Sequence, residues 1–175
     1  MPQKPLAPSF EELLDSARYH ALHLEMRDIY AVGEEREVYD TFLREGTVPG
    51  YESEFWSGWV PLVERSVARG VKVRRARIVS EPVTDYIRFE HAITDANCRA
   101  GEEVRWLPRQ RASALALPGN DFWLIDDRIV RWNLFSGDGE ALESDHTDDP
   151  HALKLCAEAF NAVWDLAVPH VDYRI

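Results

Sequence analysis

The segment that most constrains the fold is residues 70–135, which holds the most regular succession of strand and helix signals in the chain. The patterns predict a strand, a helix, a second strand and a hairpin, in that order, at residues 71–79, from 82–84 onward, at 104–107, and at 122–126 with 129–135. Strands that alternate with a helix through short connections are typical of a partly parallel sheet covered by helices. We therefore predict an α/β fold with a mixed sheet of about five strands and helices packed on it.

Helical periodicity flanks this segment on both sides. Apolar residues at three- and four-residue spacing predict helices at residues 10–19, 34–45, 55–69 and 151–167, whereas residues 108–120 and 136–149 are expected to be loops. The last helix has the clearest apolar stripe, formed by Leu153, Cys156, Phe160, Val163 and Ala167. Residues 21–30 alternate with a period of two, which predicts a strand with His23, Glu25 and Arg27 on one face.

Length and composition are typical of a single globular domain. At 175 residues with 45% hydrophobic residues, the chain is long enough to bury a core and too apolar to be disordered. We assign residues 10–175 to one α/β domain and residues 1–9, which contain Pro2, Pro5 and Pro8, to a flexible N-terminal segment. This segment has no apolar run, so the sequence predicts a cytoplasmic protein without a signal peptide or membrane span.

The charge balance disfavours direct binding of nucleic acid. The chain has 20 basic and 31 acidic side chains and a net charge of −11, which makes its surface a poor match for a phosphate backbone. Metal and cofactor sites also lack sequence support. His20, His23 and Glu25 have no HExxH motif and no third histidine nearby, and no glycine-rich phosphate loop is present. Cys98 and Cys156 have no CxxC spacing and are predicted to be buried thiols.

The predicted strand at residues 71–79 is unusual because it carries several cations. Buried parallel strands are normally almost continuously aliphatic, yet this one contains Lys72, Arg74, Arg75 and Arg77. Plain alternation would place Arg75 and Arg77 on the face of the strand valines, whereas a bulge at Arg74 and Arg75 would move the arginines to the opposite face. In either register the guanidinium groups need carboxylates, phosphate or water as partners. Glu90, at the border of the next helix's apolar stripe, is the expected partner of one of them.

Charged and aromatic residues from several predicted elements converge on this arginine strand. The candidate ligand-binding residues are Glu25, Arg27, Arg74, Arg77, Tyr86, Glu90, Asp121, Trp123 and Asp126, with Glu102 beside them. Two interpretations stay open for this set. It forms buried ion pairs that fix the order of the strands, or it lines a pocket for a small polar ligand or a peptide segment.

Four segments carry a resemblance to a known family. LEMRDIY (24–30), GVKVRRARIVSEPVTDYIRFE (70–90), NCRAGEEVRWLPR (97–109) and LPGNDFWLIDD (117–127) resemble an actinobacterial domain family of unknown function. Members of that family are commonly encoded beside helix-turn-helix regulators and their small partner proteins. The resemblance implies a regulatory or accessory role, with such a regulator or its accessory protein as the partner.

A second similarity is to one half of a phospholipase D-like fold, in which a strand-helix-strand unit precedes a hairpin with an HxK motif. The corresponding place here is Asn120-Asp121-Phe122-Trp123, which has neither the histidine nor the lysine. We therefore expect a non-catalytic protein that binds a partner protein or a small ligand in transcriptional control. The alternative is a small enzyme that uses Glu25, Glu90 or Asp121 as general acid or base beside Arg77.

Overall fold

One mixed sheet organises the fold. The computed structural model describes residues 8–30 and 33–175. Within these residues there are seven strands: β1 His20–Glu25, β2 Lys72–Val79, β3 Glu103–Pro108, β4 Asp121–Ile125, β5 Ile129–Asn133, β6 Asp145–Thr147 and β7 Val168–Pro169. Their order across the sheet is β6-β5-β4-β1-β2-β3-β7. The central strands β1, β2 and β3 are parallel, and the remaining pairs are antiparallel. The prediction of a single α/β domain with a mixed sheet is confirmed.

The sheet has two more strands than the sequence suggested. β6 lies within the acidic stretch 136–149, which was expected to be a loop, and pairs with β5. β7 follows the last helix and pairs with β3. Both are only two or three residues long, which is too short for a period-two pattern to be visible.

Five α-helices pack on the sheet in the part of the chain that the structure describes. They are α1 Phe10–Ser16, α2 Arg36–Glu45, α3 Trp59–Ala68, α4 Asp85–Ala100 and α5 Pro150–Leu166. Each was predicted, with ends that differ by a few residues. Ser9 forms a capping box with Glu12 at the start of α1, and the side chain of Thr84 accepts a hydrogen bond from Ile87 N at the start of α4. The predicted loop at 108–120 begins with a 3₁₀ helix, Arg109–Ala112.

The helices cover the two faces of the sheet unequally. The core on one face contains buried residues of α1, α3 and α4, such as Leu14, Val63 and Phe89. The core on the other face is closed by α5, whose Cys156, Phe160 and Val163 are fully or almost fully buried. Helix α2 has no buried residue and lies on α4 through partly buried side chains. The site described below is on the face of α3 and α4.

The pairing of β1 with β2 decides between the two registers that the sequence left open. Residues pair one to one from His20 with Lys72 to Glu25 with Arg77, without a bulge. Plain alternation therefore places Arg75 and Arg77 on the face of α3 and α4. Arg74 points to the opposite face, where its guanidinium lies 5.2 Å from the ring centre of Trp164.

The N-terminal prediction can be followed only in part, since residues 1–7 of the expected flexible segment lie outside the described residues. Cys98 is partly buried, Cys156 is buried, and both are free thiols. Of the helices that the structure describes, none is long and apolar enough to cross a membrane.

Candidate functional site

A cavity of about 800 Å³ lies on the sheet face that α3 and α4 cover. Its wall contains five carboxylate side chains, from Glu25, Glu35, Glu54, Glu90 and Asp121. Two guanidinium groups, from Arg75 and Arg77, and the ring of His23 also contribute. Aromatic side chains complete the wall, and they come from Tyr30, Phe55, Trp56, Trp59, Tyr86 and Phe135. The cavity is therefore both strongly charged and aromatic.

Arg77 is the central cation of the site. Its side chain is 5% exposed, and its Nε donates to Glu25 Oε2 at 2.5 Å. Its Nη2 pairs with Glu90 Oε2 on α4, and Nη1 donates to Thr94 Oγ1 at 3.2 Å. The prediction that Glu90 is the partner of an arginine of this strand is confirmed.

Arg75 forms a second set of buried ion pairs beside Arg77. Its Nη1 donates to Glu25 Oε1 at 2.9 Å and its Nε to Glu102 Oε1 at 2.6 Å. The other oxygen of Glu102 accepts from Asn97 Nδ2 at 2.8 Å. The Arg75 guanidinium also lies 5.4 Å from the ring centre of Trp59. The protein's own acids thus neutralise both guanidinium groups, as buried charges require.

Glu25 receives hydrogen bonds from three sides. Besides the two arginines, His23 Nε2 lies 3.0 Å from Glu25 Oε1, while His23 Nδ1 lies 2.8 Å from the carbonyl oxygen of Phe122. Burial alone would raise the pKa of Glu25, but the charges of Arg77, Arg75 and His23 together hold that pKa well below its ordinary value. Glu25 is therefore a permanent anion of the site.

The part of the cavity around Tyr86 has an excess of acid. The Tyr86 hydroxyl oxygen lies 2.9 Å from Glu35 Oε2 and 3.2 Å from Glu90 Oε1. Burial, followed by repulsion from Glu90, raises the pKa of Glu35 to about 7. Burial also raises the pKa of Glu90, despite the opposing charge of Arg77. At neutral pH this corner of the cavity therefore holds a proton for part of the time.

Asp121, at the start of β4, is a second carboxyl with an altered affinity for protons. Its Oδ1 accepts from Met26 N at 2.9 Å, and its Oδ2 accepts from the Tyr30 hydroxyl. Burial raises the pKa of Asp121 to about 6, since it outweighs the hydrogen bond from Tyr30, and the charge of Glu25 acts in the same direction. The Tyr30 ring lies 5.1 Å from Phe135 and 6.0 Å from Tyr86 between ring centres.

The structure brings together five of the nine candidate residues in the cavity wall: Glu25, Arg77, Tyr86, Glu90 and Asp121. Trp123 lies behind the wall, where it is 4% exposed and stacks on His23 with 4.3 Å between ring centres. Arg27 lies beside the site, with its guanidinium 5.1 Å from the ring centre of Phe135.

Two candidate residues lie elsewhere. Arg74 is on the opposite face of the sheet, because side chains alternate along β2, and it pairs there with Glu103 at 3.1 Å. Asp126 lies in the turn between β4 and β5. Its carboxylate accepts hydrogen bonds from the backbone N–H groups of Arg18, Tyr19 and His20 at 2.8–2.9 Å, so it anchors the segment before β1.

Several residues of the cavity were not among the candidates. Arg75 and His23 could have been included from strand alternation alone, because they share a face with Arg77 and Glu25. Glu35 carries no local signal. It lies in a 3₁₀ helix, Gly33–Glu35, and reaches Tyr86 only through the tertiary packing of the segment. Among the described residues, no group of three or more His, Cys, Asp or Glu side chains has the arrangement of a metal site.

Comparisons with known proteins identify a family and a fold. The model of a family described as a domain of unknown function (DUF6879) matches residues 8–175. None of the curated proteins matches the chain. A phospholipase D family member, Nuc from Salmonella typhimurium, is similar in structure, with a TM-score of 0.54 and 13% identity over 94% of this chain and 88% of that chain. TrmBL2, an archaeal chromatin protein, has a TM-score of 0.48 and 15% identity over 90% of this chain and 48% of that chain. The likeness to Nuc shows that the fold is phospholipase D-like.

Proposed function

The chain belongs to the domain family of unknown function DUF6879, and we propose that it is a non-catalytic regulatory or accessory protein that binds a small polar ligand in the cavity. The observation that carries this proposal is the cavity itself. Its volume of about 800 Å³ falls within the range of about 300–1,000 Å³ that is usual for sites of small molecules. Aromatic walls with a few convergent polar groups are also typical of such sites.

The charges of the wall support binding over phosphodiester chemistry. Arg75 and Arg77 would be the groups to attract a phosphate, but Glu25, Glu90 and Glu102 already neutralise them. The sequence at the place of the HxK motif, Asn120 to Trp123, supplies neither histidine nor lysine. A ligand would therefore be held without being cleaved by this route.

We extend the proposal to transcriptional control in the cytoplasm of an actinobacterium. The support is the resemblance of four sequence segments to a family whose members are encoded beside helix-turn-helix regulators. Such a regulator, or its small accessory protein, is the proposed protein partner. Affinity capture with the tagged protein from its native cells, followed by mass spectrometry, tests this part, and a capture without any helix-turn-helix protein or product of a neighbouring gene contradicts it.

Ligand binding is tested with a panel of anionic, neutral and cationic small molecules, using thermal shift and then calorimetry. The variant Gly58→Phe is designed to fill the cavity, and it tests whether the ligand binds there. Gly58 lines the cavity, has φ −85°, and leaves open space where a Cβ would lie. Gly119→Phe is the matched control, because Gly119 is exposed and has similar open space outside the cavity. We expect saturable binding that Gly58→Phe removes and Gly119→Phe retains; equal binding by both variants would place the ligand elsewhere.

A second candidate function is a small enzyme with acid–base chemistry. The observation in its favour is Asp121, a cavity carboxyl whose pKa is raised to about 6, which suits a general acid or base near neutral pH. Of the other carboxylates considered, Glu25 is held ionised by three partners, and Glu90 is paired with Arg77. Incubation of a bound ligand with the wild type and with Asp121→Asn distinguishes the functions: turnover by the wild type alone identifies an enzyme, and recovery of the unchanged ligand from both identifies a binding protein.

A further inference from the structure

The cavity contains more acid than its own cations neutralise. Arg75 and Arg77 are occupied by Glu25, Glu90 and Glu102. The wall carboxylates that remain are Glu35, Glu54 and Asp121, and none of them forms an ion pair with a cation of the described residues. Glu54 is exposed and needs no such partner, whereas Glu35 is half-buried and Asp121 is buried. Buried or half-buried carboxylates without a cation are costly, so they hold a proton or bind a cation from outside.

One corner of the cavity shows this shortage of positive charge directly. The single hydroxyl of Tyr86 lies between the carboxylates of Glu35 and Glu90, at 2.9 and 3.2 Å. It has one proton and can donate to only one of them at a time. The second carboxylate lacks a donor there unless it is protonated itself. An ammonium or guanidinium group would supply the missing donors and the missing charge together.

The aromatic wall beside this corner is suited to a cation as well. Tyr30 contacts Tyr86 and Phe135, and its hydroxyl donates to Asp121. The rings therefore connect the corner at Glu35 with Asp121, the second carboxyl whose pKa is raised. Faces of aromatic rings attract cations. The ring of Phe135 already has such a contact, since the Arg27 guanidinium lies 5.1 Å from its ring centre.

An independent feature of the wall calls for an acceptor on the ligand. Trp56 is 5% exposed and lines the cavity, and its indole Nε1 has no hydrogen-bond partner among the described residues. A buried N–H without an acceptor destabilises the site, because its hydrogen bond to water is lost without replacement. An oxygen of a bound molecule would satisfy it.

We propose that the ligand is a small organic cation, an amine or a guanidinium compound, that also carries a carbonyl or carboxylate oxygen. Its cationic group lies between Glu35 and Asp121 against the Tyr30 ring, and its oxygen accepts from Trp56 Nε1. This inference rests on the proposed binding function and gives that function a chemical class of ligand.

The test uses three matched probes in isothermal titration calorimetry. L-Argininamide has a guanidinium and a carbonyl, L-citrullinamide replaces the guanidinium by a neutral urea, and agmatine lacks the carbonyl. Both amides are used with the α-amine acetylated, so that the guanidinium is the only cation of L-argininamide and L-citrullinamide has none. We expect L-argininamide to bind at least about tenfold more tightly than L-citrullinamide and about fivefold more tightly than agmatine. Trp56→Phe, which removes only the N–H donor and some ring area, should abolish the difference between L-argininamide and agmatine.

Proton release provides a readout that a purely structural role of the carboxylates would not give. Titrations near pH 7 in buffers of different ionisation enthalpy should show that L-argininamide displaces protons from the wild type and not from Glu35→Gln. Glu35→Gln should also weaken binding about tenfold, whereas Glu37→Gln, an exposed position of α2, should leave it unchanged. Circular dichroism of each variant confirms that it is folded.

The outcomes separate this inference from the proposed function. Equal binding of L-argininamide and L-citrullinamide, or binding of anionic or neutral compounds alone, overturns the cationic class but leaves a ligand-binding cavity. Failure of all cationic probes at millimolar concentration also overturns the class. If no compound of any charge binds in a manner that Gly58→Phe removes, the proposed function falls with it.

Discussion

Arg77 of β2 lies directly opposite Glu25 of β1 in the parallel register, and its Nε donates to Glu25 Oε2 at 2.5 Å. The same guanidinium pairs with Glu90 on α4, so it joins the centre of the sheet to a helix that covers it. Removal of this one cation leaves the buried carboxylate of Glu90 without an ion-pair partner and takes from Glu25 one of its two arginines. We predict that Arg77→Met lowers the free energy of unfolding by about 3–5 kcal/mol, measured by urea denaturation.

Arg74→Met is the control for that measurement, because Arg74 lies on the same strand but on the other face. Its partner Glu103 has a side chain that is 50% exposed, and exposed ion pairs contribute little. We expect a loss below about 1 kcal/mol. If the two variants have the same stability, the Arg77 network does not have the structural role given to it here.

The raised pKa of Glu35 predicts how stability depends on pH. The folded protein holds the Glu35 proton with a pKa of about 7, against an ordinary value of 4.5. Between these pH values the folded state therefore binds more protons than the unfolded chain. The stabilisation that Glu35 contributes to the folded state is complete below about pH 4.5 and is lost as the pH rises towards 7. Asp121, with a pKa raised to about 6, acts in the same direction.

The measurement is thermal unfolding of the wild type and Glu35→Gln across this pH range. We expect the wild type to lose about 1–3 kcal/mol relative to Glu35→Gln between pH 5 and 7.5. Glu37→Gln, an exposed position on α2, should follow the wild type. Parallel curves for the wild type and Glu35→Gln would show that Glu35 is not buried beside Glu90.

Much of the fold follows from local patterns in the sequence, and particular residues show why. The stripe of α5 from Leu153 to Ala167 predicts both the helix and its buried face, and Phe160 and Val163 are among the most buried residues of that core. Thr84 and Ser9 mark helix starts because their side chains cap the first turn. In these cases the local preference and the tertiary structure agree.

The site was only partly predictable, because it depends on contacts between distant elements. The sequence allowed two registers for the arginine strand, and the pairing of β2 with β1 and β3 is what places Arg75 in the cavity and Arg74 outside it. Glu35 and Glu90 are linked by the hydroxyl of Tyr86, which lies on α4 with Glu90, whereas Glu35 lies far away in the sequence. Asp126 follows Trp123 closely in sequence, but the hairpin turn directs its carboxylate to the backbone before β1.

The net charge of −11 supports the prediction that the isolated protein does not bind duplex DNA tightly. Binding to a phosphate backbone depends on basic side chains that displace counterions, and Arg75 and Arg77 are already paired inside the protein. In a gel shift at physiological salt, with a sequence-independent DNA-binding protein as positive control, we expect no shift at submicromolar protein. A submicromolar shift would contradict this prediction.

Helix α2 should open more readily than the other long helices. It has no buried residue and contacts α4 through Val38, Tyr39 and Phe42, which are only partly buried. Local opening is easiest where few apolar contacts are lost. In hydrogen–deuterium exchange, we expect the amides of residues 36–45 to exchange at least about a hundredfold faster than those in the middle of α4. Equal protection of the two helices would mean that α2 is held by contacts other than those described here.

The Asp126 carboxylate should be one of the strongest single determinants of stability outside the core. It accepts hydrogen bonds from three consecutive backbone N–H groups, those of Arg18, Tyr19 and His20, and its side chain is 2% exposed. Its backbone has a φ of 50°, in the left-handed region that alanine adopts poorly. We predict that Asp126→Ala lowers the free energy of unfolding by about 2–4 kcal/mol in urea denaturation.

The adjacent Asp127 provides the control. It has a similar φ of 52°, but its only side-chain contact within the described residues is with His20 at 3.3 Å, and asparagine tolerates this conformation. Asp127→Asn should therefore change stability by less than about 0.5 kcal/mol, and an equal effect of the two substitutions would show that the Asp126 hydrogen bonds do not stabilise this corner.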